Sequence, residues 1–214
     1  RRLYLDGPAE VEKPLRVISC HLGGSSSVTG IRNGVAVGTS MGFSPQSGLP
    51  QNNRVGDLDS GAIPYAAKAL GLSMEEVEQQ LTRESGLLGV SGVGNDLRDV
   101  RTAAGEGNEN AALAVDLLIH ETRRWASSFL FELGGLDGFV FTAGIGENNP
   151  WLREAVCRGL EEFGVVLDAG KNEGCRGVEG EIGSAAAQVK VFVIPANEEL
   201  VLAREVYRKV STLN

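Results

Sequence analysis

The chain has 214 residues, 28 acidic and 20 basic, for a net charge of −8, which excludes bulk attraction to nucleic acid or to an anionic membrane surface. No apolar run reaches the ~18–20 residues of a membrane span. Three cysteines and two histidines, with neither a CxxC nor an HExxH pattern, exclude a disulfide framework and a histidine metal centre and read as reduced thiols in a cytoplasmic protein.

Residues 1–15 are charged, carry Pro8 and Pro14, lack a signal-peptide core and read as a lead-in. RVISC (16–20) then predicts a buried strand. SVTGI and VAVGTS predict two short strands around an Asn33-Gly34 turn, because both turn residues accept positive φ. Between the first two strands lies HLGGSSS (21–27), a reversal that exposes backbone N–H groups and hydroxyls. Residues 42–60 are dense in Gly, Pro, Asn and Asp and read as loop. GAIPYAAKALG predicts a helix with Pro64 in its first turn. Ser73 with Glu76 three residues on forms a capping box for the next helix.

GLLGVSGVGNDLRDV is a further glycine-rich passage. Residues 108–133 predict a long helix with Ala114, Leu117, Leu118, Trp125 and Phe129 on one stripe. Residues 139–142 predict a strand that enters a glycine-rich turn, TAGIGEN. Asn149 is placed to cap the following helix and Pro150 to open it, and the apolar repeat in that helix runs from Leu152 to Phe163. Residues 189–196 predict a strand and NEELVLAREVYRKV a last helix. Hairpin strands first, then strands alternating with helices, argue an α/β layer fold.

The 29 glycines are about twice the usual share and are clustered rather than periodic. Two explanations stand side by side: a fold with many tight turns, or a backbone that repeatedly approaches a ligand. Four passages share a pattern of strand or turn, small residues and a polar side chain at a helix start: HLGGSSS, NDLRD, TAGIGEN and PANEEL. In an α/β sheet such loops gather at the carboxyl edge, where ligands bind. A helix start there offers free N–H groups and a positive dipole end to a phosphate.

Arg54 either pairs with Asp57 or Asp59, or takes an anion with two parallel hydrogen bonds. Arg98 either pairs with Asp96 or Asp99, or faces the ligand. Glu198 and Glu199 are either surface acids or hold Mg²⁺ near phosphates. His21 is either a strand-end structural residue or stabilises a phosphoryl group in transfer. His120, within the long helix, reads as structural.

CHLGGSSSV, SMGFSPQSGL, NNRVGDLDSG, SGLLGVSGVGNDLRD, FTAGIGENNP and NEEL resemble, in that order, the motifs of the acetate kinase (acetokinase) family. The resemblance implies a ribonuclease-H-like fold of the actin/Hsp70/sugar-kinase superfamily, a mixed sheet flanked by helices. It also implies ATP-dependent phosphorylation of a short-chain carboxylate with Mg²⁺, reversibly and in a homodimer. Residues 16–214 correspond to the family's C-terminal, nucleotide-binding domain.

By that correspondence His21 and Arg54 are catalytic, and His21, Leu22, Gly23, Gly24 and Ser25 form the phosphate loop. Asp96, Leu97 and Arg98 lie on the adenosine side, and Gly144, Ile145, Gly146, Glu147 and Asn148 form the nucleotide loop. Pro45 lines the acyl pocket, and Glu198 is linked to the metal. The chain departs from the family's HLGNGAS at Gly24 and Ser25, and it has Val55 where the family often has serine. That departure leaves open a different phosphoryl donor or a nucleotide-binding module without kinase activity; a dimerisation domain is a third reading, since the resemblance implies that the family pairs through this domain.

Overall fold

The computed structural model describes residues 14–211; most of the expected lead-in lies outside them. Strands β1 (Arg16–Leu22), β2 (Ser26–Arg32) and β3 (Val35–Thr39) form an antiparallel meander. Asn33 (φ 53°) and Gly34 (φ 82°) make the tight turn between β2 and β3. Their positive φ values match the right-handed twist of the flanking strands. Strand β4 (Gly138–Thr142) joins β1 in parallel, β6 (Lys190–Val193) joins β4 in parallel, and the two-residue β5 (Gly180–Glu181) lies antiparallel on β6. The six-stranded order is β3-β2-β1-β4-β6-β5, the mixed sheet expected of a ribonuclease-H-like domain. Four consecutive residues of β4, 138–141, are buried, as a central strand covered on both faces requires.

Nine helices are present among the described residues: α1 (Ala62–Leu70), α2 (Met74–Arg83), α3 (Gly86–Ser91), α4 (Leu97–Gly105), α5 (Glu109–Leu133), α6 (Ala143–Asn148), α7 (Pro150–Cys157), α8 (Ala169–Gly174) and α9 (Glu198–Ser211). The capping box of α2 is formed: the Glu76 N–H donates to Ser73 Oγ, and the Ser73 N–H donates to the Glu76 carboxylate. Asn108 caps α5 by accepting from the Ala111 N–H at 3.0 Å. On α5, Ala114, Leu118 and Phe129 are buried, and Trp125 and Leu117 are half-buried.

The α5 helix lies across β2, and two glycines make room for it. A Cβ at Gly30 would meet the Phe129 ring at 2.7 Å, and one at Gly38 would meet it at 2.8 Å. At these positions glycine serves helix-on-sheet packing, a use distinct from both tight turns and ligand approach.

Two expectations change, and the glycine-rich passage, to which the sequence assigns no element, gains helices. The glycine-rich passage holds α3 and the start of α4; Gly86 (φ 61°) and Gly92 (φ 65°) are the left-handed residues that begin and end α3. TAGIGEN is a short helix, α6, rather than a turn. The helix expected to continue to Phe163 stops at Cys157. Gly159 (φ 78°) turns the chain away, only a 3₁₀ turn over Glu161–Phe163 follows, and Phe163 is exposed. His120 stands exposed on α5, 3.9 Å from Glu121.

A buried cation fastens the end of α6. Arg153 on α7 has no exposed surface and makes five hydrogen bonds. It donates to the carbonyls of Gly146 and Glu147, to the carbonyls of Asn172 and Cys175, and to the Asn172 side chain, at 2.7–2.8 Å. Burial lowers its pKa, yet its partners are carbonyl dipoles at helix ends, which favour a cation.

Candidate functional site

Because β1, β4 and β6 are parallel to one another, their carboxyl ends share one edge of the sheet. The loops after Leu22, Thr142 and Val193 therefore meet there. Two adjoining cavities open at that edge, with Gly23, Gly24 and Gly144 common to both walls. The first, about 560 Å³, is bounded by His21, the loop to Ser25, the start of α6, Glu147 and the 196–199 segment that opens α9. The second, about 420 Å³, is bounded by Asp96–Arg98 at the start of α4, by Asn52, and by Gly144, Ile145, Asn148 and Asn149. All four passages singled out in the sequence thus border one continuous cleft.

Close packing accounts for one of its glycines, Gly23. A Cβ at Gly23 would lie 3.2 Å from the Ala143 Cβ, so the loop after β1 and the loop after β4 are in contact. Ala143 itself sits at φ 64°, a left-handed conformation that costs an alanine energy. It turns the chain from β4 directly into α6. The short α6, not α7, is therefore the helix whose start follows β4 at the cleft. Asn149 occupies the cap position of α7 without capping it. Its side chain donates to the Ile145 carbonyl and accepts from the Trp151 indole.

Arg54 comes from the 42–60 loop and is half-buried. Its Nη1 donates to Ser25 Oγ at 2.9 Å and to Gln51 Oε1 at 3.0 Å. Among the described residues it makes no ion pair. Asp57 binds Arg124, the Trp125 indole and the Gly48 N–H instead, and Asp59 accepts from the Gly61 N–H. Of the two alternatives for Arg54, the aspartate pair is not formed among the described residues, where the guanidinium keeps Nε and Nη2 unused beside the cleft. Gln51, fully buried, also donates to the Pro45 carbonyl at 2.5 Å, so Pro45, Gln51, Arg54 and Ser25 form one chain of hydrogen bonds.

The remaining candidates divide. His21, the penultimate residue of β1, lies between Ser27 and Thr142 and borders the first cavity. Leu22 and Leu97 send their side chains into the core, so a ligand can meet only their backbones. Gly146 is buried and gives its carbonyl to Arg153. Arg98 pairs with Asp96; that bond holds the Asp96 carboxyl down at about 2 and leaves the pair neutral overall. Glu147 accepts the Ala196 N–H at 2.8 Å and so ties α6 to the segment before α9. Glu198 and Glu199 are exposed on the cavity wall, and no cluster of three or more His, Cys, Asp or Glu side chains suited to a metal exists among the described residues.

Sequence reasoning passed over Gln51, Asn52 and Arg153. Gln51 and Asn52 are two of several polar residues in a loop, without periodicity to mark them. Arg153 sits on the buried face of α7 beside Leu152 and Val156, and that repeat was the signal available.

The chain matches the profile of the acetokinase family over residues 7–204. It is 45% identical over 194 residues to an acetate kinase of Heliobacterium modesticaldum, covering 91% of this chain and 48% of that protein. It is 42% identical over 210 residues to an acetate kinase of Methanosarcina thermophila, covering 98% and 50%. The fold superposes on the crystal structure of Porphyromonas gingivalis acetate kinase with a TM-score of 0.86 at 38% identity, covering 89% of this chain and 48% of that one. It superposes on a propionate kinase from Francisella tularensis with a TM-score of 0.82 at 35% identity, covering 90% and 49%. The chain spans about half the length of the curated relatives it matches. With the motifs in order and the fold the same, this chain belongs to the acetokinase family.

Proposed function

We propose that residues 16–214 are the C-terminal, nucleotide-binding domain of a carboxylate kinase that converts ATP and acetate, or a similar short-chain carboxylate, reversibly into acyl phosphate and ADP. The single observation that carries this reading is the convergence of the four loop passages on one cleft, with an arginine beside it that lacks a carboxylate partner. The second cavity suits the nucleoside, and the first suits the phosphates.

In the reaction a carboxylate oxygen attacks the γ-phosphorus, the bond to the β,γ-bridging oxygen breaks, and ADP leaves with that electron pair. The acceptor is already an anion, so no general base is needed. The task left to the protein is to hold two negative groups in line and to stabilise the charge that spreads over the transferring group. Arg54, with Nε and Nη2 unused, and His21 at the cavity wall are the groups suited to that. The Gly23–Gly24 backbone admits the phosphate chain closely. Pro45 belongs to the acyl side, held to Arg54 through Gln51.

A lone carboxylate pair, Glu198 with Glu199, fits Mg²⁺, which keeps most of its waters and takes phosphate oxygens as its other ligands. When bound, the ion neutralises phosphate charge. The reading includes a cytoplasmic homodimer. No helix among the described residues is long and apolar enough to cross a membrane. An apolar groove between α5 and the 160–165 segment, with Phe131 84% exposed, suits a protein contact.

Acyl-phosphate formation by the full-length protein tests the proposal, with ATP, GTP and pyrophosphate compared as donors. Turnover with ATP that disappears in Arg54→Ala is the expected result. A chain that binds MgADP without turnover is a nucleotide-binding module instead, and one that binds no nucleotide contradicts the reading.

A further inference from the structure

Gly24, in the loop after β1, stands where the two cavities meet, and the structure brings a carboxamide to that place. Asn52, from the 42–60 loop, borders the second cavity opposite Gly24, and its Nδ2 lies 3.7 Å from where a Cβ on residue 24 would be. Its backbone is fixed, because the Asn52 carbonyl accepts from the Leu88 N–H at 3.0 Å at the start of α3. Its side chain is not used by the fold. Oδ1 is buried without a hydrogen-bond partner, the single buried side-chain polar atom so left among the described residues. An unpaired buried acceptor costs free energy, and a fold retains one where a ligand satisfies it.

Gly24 borders both cavities, so a molecule that fills both must pass the Asn52 carboxamide. We propose that Asn52 is a ligand-binding residue of this cleft: its carboxamide borders the cavity beside Gly24 without a hydrogen-bond partner, and its NH₂ donates to a phosphate oxygen of the nucleotide. The inference rests on the nucleotide reading above and adds to it a specific contact.

Calorimetric titration of the full-length protein with MgADP tests this, with melting temperature as the control for folding. Asn52→Ala is expected to bind MgADP about tenfold more weakly, the value of one hydrogen bond to a charged group. It should melt no lower than the unaltered protein, because it removes an unpaired polar atom. Asn52→Asp, nearly the same shape with a negative charge against phosphate, is expected to bind more weakly still. The double variant Gly24→Asn/Asn52→Ala, which carries the amide on the neighbouring loop instead, is expected to recover affinity. Equal affinity of the unaltered protein, Asn52→Ala and Asn52→Asp overturns the assignment of Asn52 alone. A lower melting temperature with unchanged affinity makes the residue structural and also overturns it. Failure of the unaltered protein to bind MgADP overturns the nucleotide reading, and this one with it.

Discussion

Two arginines of this chain are held in opposite ways. Arg153 is fully buried and donates five hydrogen bonds, four of them to backbone carbonyls at the ends of α6 and α8. Every part of its guanidinium is spoken for, and nothing of it reaches the cleft. Arg54 is half-buried, donates from one nitrogen to two neutral side chains and leaves Nε and Nη2 unused. Neutral partners fix the direction of a cation without cancelling its charge, whereas an aspartate partner would do both. Arg98 illustrates that alternative, since Asp96 neutralises it. What separates a structural cation from one kept for a ligand is thus the inventory of its donors, rather than its burial.

The largest effect should break the structural arm of the comparison. Arg153→Met leaves several carbonyls unpaired in the interior and is expected to cost about 3–5 kcal/mol, read by denaturant unfolding. The second should break the functional arm. Arg54→Met is expected to lower kcat of the full-length protein about 10²–10³-fold, while unfolding shifts by less than ~1 kcal/mol. If Arg54→Met unfolds like Arg153→Met, the distinction between the two fails.

A smaller effect sharpens it. Ser25→Ala removes one of the two partners that aim Arg54 and is expected to lower kcat about five- to tenfold, the worth of about one hydrogen bond, with folding intact. Ser73→Ala, far from both arginines, should cost about 1 kcal/mol through the lost α2 cap and leave kcat unchanged. The smallest effect concerns the buried thiols. Burial pushes Cys157 up to about 12 and raises Cys20 as well, so both stay protonated and resist iodoacetamide at pH 8 until the chain unfolds. The sign of the linkage follows. The folded state holds a proton that the unfolded thiol releases near pH 9, so this contribution to stability is whole below that pH and declines as pH rises toward 12.

Much of the scaffold was legible because local chemistry suffices for it. Asn33-Gly34 dictates its hairpin, Ser73 and Glu76 their capping box, and the spacing of Ala114, Leu118 and Phe129 the buried face of α5. The helices α3 and α6 were hidden for a physical reason. Both begin at a residue with positive φ, Gly86 and Ala143, so a sequence that looks like a turn is a turn for one residue and a helix thereafter. The α7 boundary was hidden because an apolar repeat continues past Gly159, where the backbone does not.

For the site, the polar residues at the strand ends were legible as a set, because a parallel sheet must bring such loops to one edge. Their division of labour was not. Whether Arg54 meets Asp57 or Ser25, and whether the Asn52 carboxamide is used, depends on contacts between loops far apart in sequence, and composition carries no trace of these.

The most direct test of the central claim, that the cleft at the carboxyl edge receives the nucleotide, is hydrogen–deuterium exchange of the full-length protein with and without MgADP. The account predicts slower exchange at residues 21–25, 96–98 and 143–148, with the Arg153 corner unchanged. It is contradicted if MgADP leaves those segments unprotected, or if protection appears instead at the separate cavity bounded by Glu154, Cys157 and Val165.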